Sequence, residues 1–100
     1  MRVGILGRTE MLYNSIPLLN QAGHEIVFII SGAAAPEYSK TEKDFQRIAE
    51  SLSIPFFLTE KINATETLLW IKKYKPDIGV SVNWKTIIGQ DTINSFKYGI

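Results

Sequence analysis

Lys75–Ile100, KPDIGVSVNWKTIIGQDTINSFKYGI, is the stretch that decides the fold. Lys75-Pro76-Asp77 closes a helix, because proline cannot continue one and also pushes the residue before it out of helical geometry. Ile78-Gly79-Val80-Ser81-Val82 follows as a strand of the kind buried within a sheet. The polar loop Asn83-Trp84-Lys85-Thr86 leads to a weak helix expected near Asp91 to Phe96. Tyr98-Gly99-Ile100 then opens another strand. Strand, loop, helix and strand in this order form the repeating unit of a parallel sheet with helical crossovers.

The same unit recurs toward the amino terminus. Val3-Gly4-Ile5-Leu6 and Ile26-Val27-Phe28-Ile29-Ile30 are continuous apolar runs, the pattern of parallel strands covered on both faces. The helix between them is predicted to carry Pro17 in its first turn, where a missing N–H is harmless, with Asn14 or Ser15 as cap and Gly23 as the end. A second helix has a capping-box signature at Thr41-x-x-Asp44, and its Phe45, Ile48, Ala49 and Leu52 stripe should face the sheet. Phe56-Phe57-Leu58, after Ser53-Ile54-Pro55, is a third short strand. Asn63 opens a third helix with Ala64, Leu68 and Ile71 on one face.

The expected architecture is therefore α/β: a three-layer α/β/α domain around a parallel Rossmann-like sheet of order 3-2-1-4-5, interrupted at the start of the fifth strand. It occupies residues 1–100 as one domain, expected to be incomplete at its carboxyl end. There is no internal linker or repeat, and Ser31–Lys40 is a loop containing Gly32 and three alanines.

Composition narrows the function classes. The 100 residues are 45% hydrophobic and carry 11 basic and 10 acidic side chains, a net charge of +1, interspersed along the chain. That balance gives no basic footprint for nucleic acid and none for an anionic membrane. The absence of cysteine excludes disulfides, thiolate nucleophiles and thiolate metal sites, and fits a reducing, cytoplasmic compartment. The longest apolar runs are far shorter than a membrane span, and neither signal peptide nor anchor is expected.

In an open parallel sheet, ligands bind beyond the carboxyl ends of the strands where strand order reverses, here between strands one and four. Two loops meet there, Gly7-Arg8-Thr9-Glu10 and Asn83-Trp84-Lys85-Thr86. They set polar groups beside an aromatic ring. The plain alternative is that Arg8, Glu10 and Lys85 are solvated loop charges and Trp84 caps the core.

Sharper motifs are absent. Gly4-x-x-Gly7 is not the dinucleotide fingerprint, no acidic residue ends the second strand, and no phosphate-binding P-loop occurs. A phosphorylated receiver domain would need acidic residues at the ends of strands one and three, where Leu6-Gly7 and Leu58-Thr59 stand. His24, the sole histidine, belongs to the turn before the second strand, at the wrong end of the sheet for catalysis. No second histidine or carboxylate cluster accompanies it, so neither a metal site nor a Ser-His-Asp arrangement can be assembled.

Five segments taken together carry a resemblance: Gly7-Arg8-Thr9-Glu10-Met11, Ala22-Gly23-His24-Glu25-Ile26-Val27, Leu52-Ser53-Ile54-Pro55, Lys75-Pro76-Asp77-Ile78 and Val82-Asn83-Trp84-Lys85-Thr86-Ile87-Ile88. In this order and spacing the chain resembles the amino-terminal half of the folate-dependent formyltransferases, which act on methionyl-tRNA, glycinamide ribonucleotide or amino sugars. The resemblance implies transfer of a formyl group from 10-formyltetrahydrofolate to an amine, with no metal. Such a reaction needs donors for a tetrahedral oxyanion and a base for the amine proton. The family supplies them from an Asn and a His in an N-x-H pattern on the fifth strand and from a later Asp. That pattern starts just after a pair matching Gly99-Ile100, so residues 1–100 are expected to hold none of the three. This portion alone is expected to be inactive.

By position, the resemblance assigns Asn83, Trp84, Lys85, Ile87 and Ile88 to the folate pocket and Gly7, Arg8, Thr9 and Glu10 to the acceptor. Arg8 could pair bidentately with an acceptor phosphate, while Ile87 and Ile88 could equally be ordinary core residues. Trp84-Lys85 departs from the aromatic-Gly or aromatic-Arg pair associated with that loop. Another departure concerns the acceptor. Enzymes for methionyl-tRNA carry a basic, glycine-rich insertion after the second strand, whereas Ser31–Lys40 has one lysine and one glutamate. Phosphate contacts need cations, so the expected partner is a small amine acceptor such as an amino sugar nucleotide, with methionyl-tRNA as the alternative and no membrane partner. A binding or regulatory domain that lost its chemistry, and a different nucleotide-binding enzyme, are the readings from other classes. Strand four, left as a bare edge, should favour self-association.

Overall fold

Four strands lie parallel in the order β3-β2-β1-β4: β1 (Arg2–Gly7), β2 (Glu25–Ser31), β3 (Phe56–Leu58) and β4 (Ile78–Val82). The helices between and after them are α1 (Glu10–Gln21), α2 (Glu42–Ser51), α3 (Thr65–Lys73) and the short α4 (Gln90–Ile93). This computed structural model describes residues 1–7, 10–32, 42–59, 61–82 and 88–100. The expected α/β class and the order 3-2-1-4 are borne out.

Two apolar clusters fill the space on either side of the sheet. Val3, Ile5 and Ile29 pack with Leu12 and Ile16 of α1 and Phe45 and Ala49 of α2. Leu6, Phe28 and Ile30 pack with Ile71 of α3, Ile62 and Phe96. Alternation along each strand divides the residues between the two faces, with one interruption. The pairing of β1 with β2 slips between Val3↔Ile26 and Gly4↔Phe28. Val27 is thus the extra residue of a bulge, and it joins Phe28 on the same side of the sheet. The slip sets the Phe28 ring over Gly4, where a Cβ would stand 2.3 Å from Phe28 Cζ.

Most expected elements are in place, and the stripe Phe45, Ile48, Ala49 and Leu52 faces the sheet. Thr41, the proposed cap of α2, lies outside the described residues. Three expectations need correction. First, α1 begins at Glu10, so Pro17 sits inside the helix and not in its first turn. The ring is exposed on the outer face, while Leu12 and Ile16 are buried. Packing of that face outweighs the ladder bond that proline cannot donate.

Second, the buried side of α3 is set by Thr67 and Ile71, with half-buried Trp70 and Tyr74 packed on the same cluster. Of the predicted Ala64-Leu68-Ile71 face, only Ile71 is fully buried. Aromatic packing explains the rotation: Trp70 meets Phe28 at 5.2 Å, Phe57 at 5.2 Å and Tyr74 at 4.9 Å between ring centroids. Thr67 tolerates burial because its hydroxyl donates to the Lys61 carbonyl at 2.8 Å.

Third, Tyr98–Ile100 does not continue the sheet as a regular strand. It lies along the outer edge of β4, where the Tyr98 N–H donates to the Asp77 carbonyl at 2.7 Å and the Gly79 N–H to the Gly99 carbonyl at 2.9 Å. Gly99 has φ +84°, a conformation that strands do not adopt and that favours glycine.

The amino ends of the strands are tied by Arg2. Its backbone N–H donates to Asp77 Oδ2 at 2.9 Å, and its guanidinium bonds Glu25 Oε2 at 2.8 Å, the Lys75 carbonyl at 3.1 Å and the Tyr74 carbonyl. The Asp77 N–H returns a 2.7 Å bond to the Arg2 carbonyl. Lys75-Pro76-Asp77 therefore stops α3 and aligns β4 with β1.

Candidate functional site

The carboxyl ends of β1 and β4 finish level, with Gly7 opposite Val82. On the other side of β1, β2 runs on to Ser31, whose side chain is fully buried. Its hydroxyl donates to the Gly32 carbonyl at 3.1 Å. β1 and β4 thus end side by side, at the place where topology alone leads one to expect a ligand crevice.

Of the residues expected there, the structure describes three. Gly7 closes β1 and is buried. Glu10 is the first residue of α1 and not part of a loop, as had been expected. Ile88 is half-buried and packs against the cluster of Leu6 and Phe28. Arg8, Thr9, Asn83, Trp84, Lys85 and Ile87 lie outside the described residues, as does most of the cation-poor segment Ser31–Lys40.

One feature of this region was not foreseen from the sequence. Asn63, read there as a helix opener, stands one residue before the cap position of α3, which is Ala64. Its Oδ1 instead accepts the Gly89 N–H at 2.6 Å and lies 2.8 Å from Thr92 Oγ1. Thr92 Oγ1 is also 3.1 Å from the Ile62 carbonyl. The turn before α3 thus holds the chain just after Ile88. No local signal could reveal this, because an asparagine before a helix looks the same whether it caps that helix or grips a segment 26 residues away.

The opposite end of the sheet carries a cleft of about 520 Å³, lined in part by Arg2, Asn20, Glu25, Ile54, Pro55 and Tyr74. Its cation is already committed to Glu25 and two carbonyls. His24 is at that end too, before β2, and its Nδ1 is buried with no hydrogen-bond partner among the described residues. Among the described residues no group of three or more His, Cys, Asp or Glu could hold a metal ion, and no helix is long and apolar enough to cross a membrane.

No family model matches the chain. It is, however, similar along nearly all of its length to curated proteins named methionyl-tRNA formyltransferase. One from Pelotomaculum thermopropionicum is 28% identical over 99% of the chain and 33% of its own length. One from a Sulfurihydrogenibium species is 31% identical over 98% of the chain and 33% of its own length. One from Herpetosiphon aurantiacus is 27% identical over 93% of the chain and 31% of its own length. The chain spans about a third of the length of these relatives. The family resemblance drawn from the five segments is borne out by sequences that match it from end to end.

Proposed function

We propose that this chain, related along its whole length to the formyltransferases, forms the folate-side part of an enzyme that moves a formyl group from 10-formyltetrahydrofolate to the amine of methionyl-tRNA. The observation that carries this reading is the match over 98% to 99% of the chain to proteins bearing that enzyme's name. It shifts the acceptor away from the amino sugar favoured by the sequence toward the alternative, so nucleic acid becomes a partner.

Within residues 1–100 the work is binding and orientation. The folate contributes the formyl carbon, and a flat pterin ring needs aliphatic surface together with exposed backbone polar groups. Gly7, buried at the end of β1, would bring its backbone close to the ligand, and half-buried Ile88, packed on the cluster of Leu6 and Phe28, would offer the aliphatic surface. Asn83, Trp84, Lys85 and Ile87 would complete the folate side. Gly7, Arg8, Thr9 and Glu10 would face the acceptor. The oxyanion donor and the base are assigned by resemblance to an Asn, a His and an Asp beyond residue 100.

The cation-poor composition of Ser31–Lys40 favours a second reading, an amino sugar nucleotide as acceptor. One experiment separates the two. The complete protein is given 10-formyltetrahydrofolate and either methionine-charged initiator tRNA or a panel of amino sugar nucleotides, and formylated product is quantified. Formylation of the charged tRNA is expected. Transfer to an amino sugar alone would favour the second reading, and no transfer to any amine would remove the enzyme.

A further inference from the structure

We infer that Asn63 is a positioning residue for the folate site, fixing Ile88 through the backbone of Gly89. This inference rests on the function proposed above. Gly89 is the residue at which the chain enters α4, with extended backbone at φ −74°, ψ 164° and no side-chain cap. Four residues of helix cannot hold their own position, since a single turn is not stable by itself. What anchors this turn is its contact with the segment before α3.

The geometry of that contact is specific. Gly89 supplies an N–H, which requires an acceptor, so the atom 2.6 Å away is the carboxamide oxygen and the orientation of the Asn63 amide is fixed. A Cβ on residue 89 would stand 3.0 Å from this oxygen, so glycine permits the close approach. Thr92, itself buried, sits 2.8 Å from the same oxygen and 3.1 Å from the Ile62 carbonyl. Its single hydroxyl proton can serve either acceptor, and both tie α4 to the same turn. Ile88 is covalently adjacent to the anchored amide and rests on the Leu6 and Phe28 cluster. The position of Ile88 is therefore set from both sides, by the cluster on the sheet and by Asn63.

Asn63 is exposed and so is its bond to Gly89, so water replaces the bond when the side chain is shortened and the domain still folds. The effect should fall on the site. With the complete protein, Asn63→Ala is expected to weaken binding of 5-formyltetrahydrofolate by about five- to tenfold, the equivalent of one hydrogen bond. KM for the formyl donor should rise more than kcat falls. Amide exchange at Gly89 should speed up. Asn63→Asp keeps an acceptor oxygen and should restore both slow exchange and binding to within about twofold of wild type, well short of one lost bond. If the wild type binds the folate and Asn63→Ala binds it equally well, the inference is wrong even if exchange at Gly89 accelerates. A wild type that binds no reduced folate overturns the proposed function and this role with it.

Discussion

Gly4 shows how one absent methyl group shapes the sheet. Phe28 is wholly buried, and its ring occupies the space in which a side chain at position 4 would stand. Trp70, Tyr74 and Phe96 close around the same ring, with centroids at 5.2, 6.1 and 6.0 Å. Backbone freedom is not the issue at Gly4, which is an ordinary strand residue with its partner Gly79 across the ladder. The requirement is space. Gly4→Ala should destabilise the domain by about 1–3 kcal/mol, the usual cost of overpacking a core, measured by urea unfolding followed by far-UV circular dichroism. In a Phe28→Leu background the added cost of Gly4→Ala should shrink, because the two residues contend for one volume. Additive effects would mean that Phe28 is not what Gly4 accommodates.

Elements declared themselves in the sequence where one principle acted alone. The apolar runs of β1 and β2 are strands buried on both faces, as expected, whereas β4, read as equally buried, is a half-buried edge strand; the stripe of α2 has one consistent face. Where local preference and tertiary packing disagreed, packing prevailed. Local chemistry placed the start of α1 beside Pro17, yet the helix runs from Glu10 because Leu12 and Ile16, with half-buried Tyr13 and Leu19, give it a face to bury. Tyr13 meets the Phe45 ring edge-on at 5.6 Å. In α3 the aromatic side chains turned the helix away from its aliphatic stripe. For the candidate site the sequence offers an expected location, because strand order reverses between β1 and β4, but it did not reveal Asn63, whose partner is remote in sequence. The α1 conflict is testable. Pro17→Ala returns a donor to the helix ladder at an exposed position. It should raise stability by about 1–2 kcal/mol, less than the full interior-proline penalty because proline also restricts the unfolded chain. An unchanged or lowered denaturation midpoint would show that α1 has already absorbed the proline without cost.

At the scale of the whole molecule the two ends of the sheet have different tasks. The amino end is knotted together by Arg2, Asp77 and the backbone around Lys75. At the carboxyl end β1 and β4 finish level, on the side where a parallel sheet takes its ligand. The two lateral edges differ as well. β3 has only three residues, and a short edge offers little to a partner. β4 is longer, and among the described residues only its first residues are covered, by Tyr98 and Gly99. Because the Gly79 N–H points outward to Gly99, alternation makes the Ser81 N–H the next donor on that edge. A polypeptide of residues 1–100 should therefore self-associate through β4, with a sedimentation coefficient that rises with concentration. Ser81→Pro should abolish the rise, since it deletes an outward donor without touching the ladder to β1 and proline is tolerated on sheet edges. Far-UV circular dichroism of the variant should match the parent. A parent that sediments as a monomer at every concentration would contradict the expected association, and an oligomer unaffected by Ser81→Pro would move the contact away from β4. If the variant alone is monomeric, the open edge of β4 is the adhesive surface.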